Sequence, residues 1–126
     1  MATEPEQPRP TISTHVLDTE RGVPAAGVHV TLSRLVDGKQ PVRMTQALTD
    51  GDGRVRDLLE RPLVAGDYRL EFSLVPIGVG DALAPDAGDR TFFRRLAVDL
   101  RITDIGRSYH VPLLLSSYGM TTYRGS

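Results

Sequence analysis

Three histidines, His15, His29 and His110, can exchange protons near neutral pH, the chemistry of a general acid or base acting on water or on a leaving group. Arg54 follows the turn Asp50-Gly51-Asp52-Gly53 and carries a planar, permanently charged fork suited to oxygen-rich ligands or a developing oxyanion. The C-terminal Tyr123-Arg124-Gly125-Ser126 brings a phenol, a second guanidinium and a hydroxyl within four residues. Taken singly, each group also has a plainer reading. A lone histidine is more often a satisfied structural residue, one arginine among several is normally solvated, and terminal residues usually fray.

Spacing removes several local signatures. The chain has no cysteine, so neither a disulfide framework nor a thiolate metal site is available. The histidines are too far apart for a local zinc motif, and a shared zinc site would require the fold to unite them. Asp50-Gly51-Asp52-Gly53 looks like the opening of a calcium loop, but its twelfth position is Arg61, where a bidentate glutamate is required. Gly51 and Gly53 also lack the strand-to-helix context of a phosphate cradle. A net charge of -1 and a pI near 6.3 leave no electrostatic footprint for nucleic acid or an anionic membrane. The expected partner is a small molecule or a protein. With no signal-peptide pattern at the N-terminus and no apolar run near the roughly 18 residues of a membrane span, the expected location is cytoplasmic.

The elements that must position these groups read as strands. Residues 1–10, proline-rich and charged, are expected to form a disordered arm, and the fold is expected to occupy residues 11–126. A short strand over residues 12–17 carries His15, which shares a face with Ser13 and Leu17, and its buried side is not evident from the residue pattern. Residues 18–27, with Gly22, Pro24 and Gly27, read as a turn-rich connection. Val28, Val30 and Leu32 alternate with His29, Thr31 and Ser33 at a period of two, so His29 is expected on the wet face. Residues 42–48 form the second arm of a hairpin, and a short strand is expected over 54–58. Tyr68, Leu70, Phe72 and Leu74 alternate with Arg69, Glu71 and Ser73. Residues 75–90 carry so many breakers that at most one helical turn fits, near 81–84. Strands over 93–102, 108–115 and 118–123 close the chain, the last holding Arg124 and Ser126 in place. Seven or eight short strands with turns about every ten residues predict an all-β sandwich.

Three separated segments together resemble one family. Ser13-Thr14-His15-Val16-Leu17-Asp18-Thr19, then Asp52-Gly53-Arg54, then Tyr109-His110-Val111-Pro112-Leu113-Leu114-Leu115-Ser116 with the terminal Tyr123-Arg124-Gly125-Ser126, resemble the 5-hydroxyisourate hydrolases, the transthyretin-like enzymes of urate breakdown. The resemblance runs from about residue 11 to residue 126. Its specificity lies in the His-Val-Leu-Asp-Thr motif and the terminal tetrapeptide taken together. Transthyretin, the hormone carrier of the same fold, lacks the catalytic histidines and that tetrapeptide.

The resemblance implies a transthyretin-like sandwich of two four-stranded sheets with at most one short helix, assembled as a homotetramer, a dimer of dimers, with active sites in a channel where subunits meet. By the family motif it implies His15, Arg54, His110 and Ser126 as catalytic residues. Arg54, Tyr123, Arg124 and Gly125 would bind and shape the site around the substrate, an oxidised purine. The implied reaction opens the six-membered ring of 5-hydroxyisourate by hydrolysing its cyclic amide, with no cofactor. One histidine would deprotonate the water while the other binds substrate or protonates the leaving nitrogen, and the two assignments stay open. Phe92-Phe93-Arg94-Arg95 and Ser116-Ser117-Tyr118-Gly119 depart from the usual pattern of relatives. The alternatives are an enzyme of the same fold recruited to another cyclic amide or imide, and a non-catalytic binding protein of the transthyretin kind.

Overall fold

The computed structural model describes residues 9–74 and 92–125. Within them the alternating segments become nine strands: β1 (Ile12–Asp18), β2 (Val23–Pro24), β3 (His29–Leu35), β4 (Val42–Leu48), β5 (Arg54–Val55), β6 (Gly66–Ser73), β7 (Arg95–Ile102), β8 (Tyr109–Leu115) and β9 (Met120–Thr122). No helix occurs among the described residues. One layer has the order β4-β3-β6-β7 and is antiparallel throughout. The other has the order β2-β1-β8-β9, with β5 also paired to β1. Because β8 runs parallel to β1 along the whole of one edge, the two short strands share the opposite edge, β5 at Thr14 and His15 and β2 at Leu17 and Asp18. The second layer thus counts five strands but is four positions wide, and the all-β sandwich expected from the sequence is the fold observed.

The apolar faces meet between the layers. Ile12 and Val16 of β1, Val111 and Leu113 of β8, Val30 and Leu32 of β3, and Tyr68, Leu70 and Phe72 of β6 are buried there. Removing each such side chain from water contributes about 1.5–3 kcal/mol. The few polar groups on this side are matched. Thr14 Oγ1 donates to the Val111 carbonyl at 2.6 Å, and Thr49 Oγ1 donates to the Ala25 carbonyl at 2.7 Å while accepting the Val28 N–H at 2.9 Å. These bonds make the inward phase of β1 unambiguous: Ile12, Thr14 and Val16 face the core, which leaves Ser13, His15 and Leu17 on the outer face, half-buried.

Several expected boundaries shift for local reasons. Ser33 is buried although it keeps the outward phase: it pairs with Arg69 in the unbroken β3–β6 register, and the extra residue of the β3–β4 bulge, Met44, lies in β4. The strand expected over 54–58 ends at Val55, since the Asp57 carboxylate accepts the N–H groups of Leu59 (3.0 Å) and Glu60 (3.1 Å) and bends the chain into a turn. The connection over 18–27 holds a two-residue strand, Val23–Pro24, that folds back on β1. The last strand is confined to Met120–Thr122 because Ser116 N–H donates to the Gly119 carbonyl at 2.9 Å and closes a turn around Tyr118, which is 80% exposed. The helical turn expected at 81–84, residues 1–8 of the expected arm and Ser126 lie outside the described residues.

Candidate active site

Arg54 reaches the site through its turn. The Asp50 carboxylate accepts the backbone N–H groups of Asp52 and Arg54, both at 2.9 Å, and the Arg54 bond is the main reason its pKa is held below the ordinary carboxylate value. Gly53 has φ +75°, and a Cβ there would lie 2.4 Å from the Val16 carbonyl oxygen. Only glycine lets the chain pass this close to β1, where Gly53 O accepts the Val16 N–H at 2.7 Å. That contact sets Arg54 opposite His15 in the antiparallel β1–β5 register. Among the described residues no carboxylate pairs with the Arg54 guanidinium.

His110 arrives from the other side of β1. In the parallel β1–β8 register its Cα partner is Ser13, and since Tyr109 and Val111 are buried, His110 faces outward with Ser13 and His15. Its Nδ1 lies 2.9 Å from Ser13 Oγ. Beyond β9 the chain returns to His110: Gly125 N–H donates to the His110 carbonyl at 2.7 Å, forming an isolated bridge. Burial, reinforced by the nearby charges of Arg54 and His15, lowers the His110 pKa below the ordinary imidazole value, because the charged form is the one that loses hydration and meets like charge.

The outer face of this sheet therefore carries Arg54, His15, Ser13, His110 and Gly125 in a band across β5, β1, β8 and the C-terminal segment. Two adjoining clefts open on it. One of ≈ 360 Å³ is lined by His15, His110, Tyr123 and Gly125 over an apolar floor of Leu17, Pro112 and Leu114, and a smaller one of ≈ 150 Å³ is lined by Ser13, Thr14, Arg54, Arg56 and His110. His110 belongs to both.

The fold brings together two of the three histidines. His29 sits on the outer face of the other sheet, in a polar hollow with Thr31, Gln46, Glu71, Ser73 and Arg95. Tyr123 lines the larger cleft, whereas the Arg124 guanidinium packs 5.0 Å from the centroid of the Tyr109 ring, outside that lining. Ser126, next to Gly125, is not among the described residues. Ser13 is the polar neighbour that sequence reasoning passed over. Its shared phase with His15 was visible, but its pairing with a residue 97 positions away exists only through the parallel ladder. No group of three or more His, Asp or Glu side chains among the described residues is arranged to hold a metal ion.

The profile of the HIUase/Transthyretin family matches residues 12–125, from the first residue of β1 to the glycine beside His110. The chain belongs to this family. The HIUase/Transthyretin relatives include a 5-hydroxyisourate hydrolase of Caulobacter vibrioides, 41% identical over 118 residues that cover 91% of this chain and 97% of that protein. The solved structure of Klebsiella pneumoniae 5-hydroxyisourate hydrolase matches with a TM-score of 0.72 at 36% identity, covering 92% of this chain and 99% of the other. Sea bream transthyretin in complex with thyroxine superposes equally well, with a TM-score of 0.75, but at 26% identity, covering 90% and 93% of the two chains. Backbone likeness therefore does not separate the HIUase and transthyretin branches, because the sandwich is common to both; the higher sequence identity lies with the hydrolases.

Proposed function

We propose that this chain hydrolyses the cyclic amide of 5-hydroxyisourate, giving 2-oxo-4-hydroxy-4-carboxy-5-ureidoimidazoline in urate breakdown. The observation that carries this reading is the convergence of His15, Arg54 and His110 beside one cleft, in a chain 41% identical to a protein of that name. Water adds its oxygen to the amide carbonyl carbon, the ring C–N bond breaks, and the nitrogen leaves with a proton. His110 is the base in this scheme. Its lowered pKa keeps the imidazole neutral at pH 7, and with Nδ1 engaged by Ser13 the Nε2 edge is available to take the proton from water. His15, on the neighbouring strand, binds the substrate or protonates the leaving nitrogen. Arg54 has no carboxylate partner among the described residues and presents its fork to the substrate oxygens, stabilising the oxyanion by roughly 3 kcal/mol.

Tyr123 and Gly125 form one wall, with Ser126 extending it. Arg124 supports that wall through the Tyr109 ring. The active form is a homotetramer, a dimer of dimers, in which the half-exposed Leu17 and Leu114 and the 52%-exposed Tyr123 meet a partner subunit that completes the channel. The reaction runs in the cytoplasm. The test is the ultraviolet decay of freshly generated 5-hydroxyisourate with purified protein. Acceleration by wild type, lost in His15→Ala and His110→Ala, is the expected result. A wild type that binds but does not accelerate the decay refutes the hydrolase reading and leaves a carrier, whereas unimpaired variants refute only the assignment of residues.

A further inference from the structure

Ser13 touches none of the reacting atoms, yet its hydroxyl makes the hydrogen bond that the fold provides to the ring of His110. The contact is built into the backbone. Ser13 and His110 are Cα partners in the parallel ladder, so both side chains leave the same face side by side. On the opposite side the ring meets Gly125, where a Cβ would lie 3.0 Å from His110 Cδ2. The imidazole is therefore wedged between a hydroxyl and a stretch of backbone. Among the described residues nothing hydrogen-bonds Nε2, and no carboxylate lines either cleft, so Ser13 Oγ is the acceptor available to Nδ1.

A neutral imidazole carries one N–H, and the partner of one nitrogen decides which nitrogen is left with the lone pair. We propose that Ser13 is a positioning residue that accepts a hydrogen bond from His110 Nδ1–H and thereby holds the ring in the tautomer whose Nε2 lone pair faces the substrate. This rests on the reading in which His110 takes the proton from water. When it does, the Nδ1–H bond to Ser13 persists and strengthens, so the imidazolium needs no ring flip to find a partner. A carboxylate in its place would orient the ring as well but would favour the charged form more strongly, whereas a hydroxyl orients it with a smaller upward pull on its pKa. The groups facing His110 are otherwise His15 from β1, Arg54 from β5, Arg56 just beyond β5, and Tyr123 from the C-terminal segment; Arg124 is turned toward Tyr109. They include two fixed cations, which oppose protonation, and the hydroxyl partly offsets them.

The test uses the full-length protein labelled with nitrogen-15 in histidine, with His110 signals assigned against His15→Gln and His29→Gln proteins. In wild type above the His110 pKa, the expected spectrum shows Nδ1 protonated and Nε2 free. Ser13→Ala should lose that preference, lower the plateau of kcat/KM about tenfold and move its acid limb to lower pH, because the imidazolium loses an acceptor. Ser13→Thr, which keeps the hydroxyl, should restore the tautomer and the acid limb. A wild-type spectrum with Nε2 protonated overturns the proposal without recourse to any variant. So does a Ser13→Ala protein with unchanged tautomer and acid limb. The spectra read the bond whether or not substrate is turned over, so failure of the hydrolase reading and failure of the Ser13 reading are separable.

Discussion

Gly125→Ala is expected to disable the site while sparing the fold. Gly125 is not among the residues with positive φ, so alanine meets no backbone penalty there, and the effect of the substitution comes from its methyl group alone. That methyl carbon would stand 3.0 Å from His110 Cδ2, 3.3 Å from the His110 carbonyl oxygen and 3.4 Å from its Cβ. Carbon atoms rest at about 3.5–4.0 Å, so the ring must retreat by roughly 0.5 Å or more. It cannot slide toward Ser13, whose Oγ already lies 2.9 Å from Nδ1, and must instead rotate, carrying Nε2 with it. A misplacement approaching 1 Å can cost a factor on the order of 100, so kcat/KM should fall by about 10- to 100-fold, equivalent to about 1.4–2.7 kcal/mol of transition-state stabilisation. Stability should change by less than about 1 kcal/mol, because the ring is half-exposed and has room to move outward. Steady-state assay on 5-hydroxyisourate beside thermal unfolding separates the two effects. Gly51→Ala, where an added Cβ meets nothing within 4 Å, is the matched control. A Gly125→Ala protein within twofold of wild type in kcat/KM would refute the picture of a ring wedged between Ser13 and the backbone.

Four further outcomes are expected. Gly53→Ala should destabilise the protein by about 2–4 kcal/mol in denaturant titration, since left-handed backbone and a 2.4 Å approach to the Val16 carbonyl both exclude a side chain; unchanged stability would show that the turn relaxes freely. Arg54→Ala should lower kcat by about 100- to 1000-fold with little change in unfolding midpoint, and a change confined to KM would assign Arg54 to uniform substrate binding. The folded-state pKa of His110 is depressed, so the acid limb of kcat/KM should have its midpoint below the ordinary histidine value of about 6.5. The same shift makes the unfolded state bind more protons in that window. The His110 contribution to stability should then be complete above about pH 6.5 and disappear as pH falls from there through the folded pKa. A His110→Gln protein whose stability has the same pH dependence as wild type would contradict this.

Much of the scaffold was legible because period-two alternation survives wherever a strand has one dry face. Val28, Val30 and Leu32, and Tyr68, Leu70 and Phe72, reached the core as their spacing requires. The reading failed where a local hydrogen bond overrode that period. β5 stopped at Val55 because the Asp57 carboxylate took the N–H groups of Leu59 and Glu60 and bent the chain, while Ser33 kept the outward phase of its pairing with Arg69 and is nonetheless buried. β1 was ambiguous for a different reason: its outer face carries Leu17 beside Ser13 and His15, so apolar residues occur on both sides and alternation loses its contrast.

The sequence by itself determined the fold class, the glycine turn that delivers Arg54, and, through three separated motifs, the family whose profile spans residues 12–125. These are properties of local pattern and residue type, which adjacent positions encode. Tertiary structure alone decided the neighbours: that His15 stands across from Arg54, that Ser13 meets His110, that Gly125 closes on the same ring, and that Arg124 turns toward Tyr109. Those pairings follow from strand register across long separations in the chain, and register is fixed by burying one face of each strand against the rest of the core.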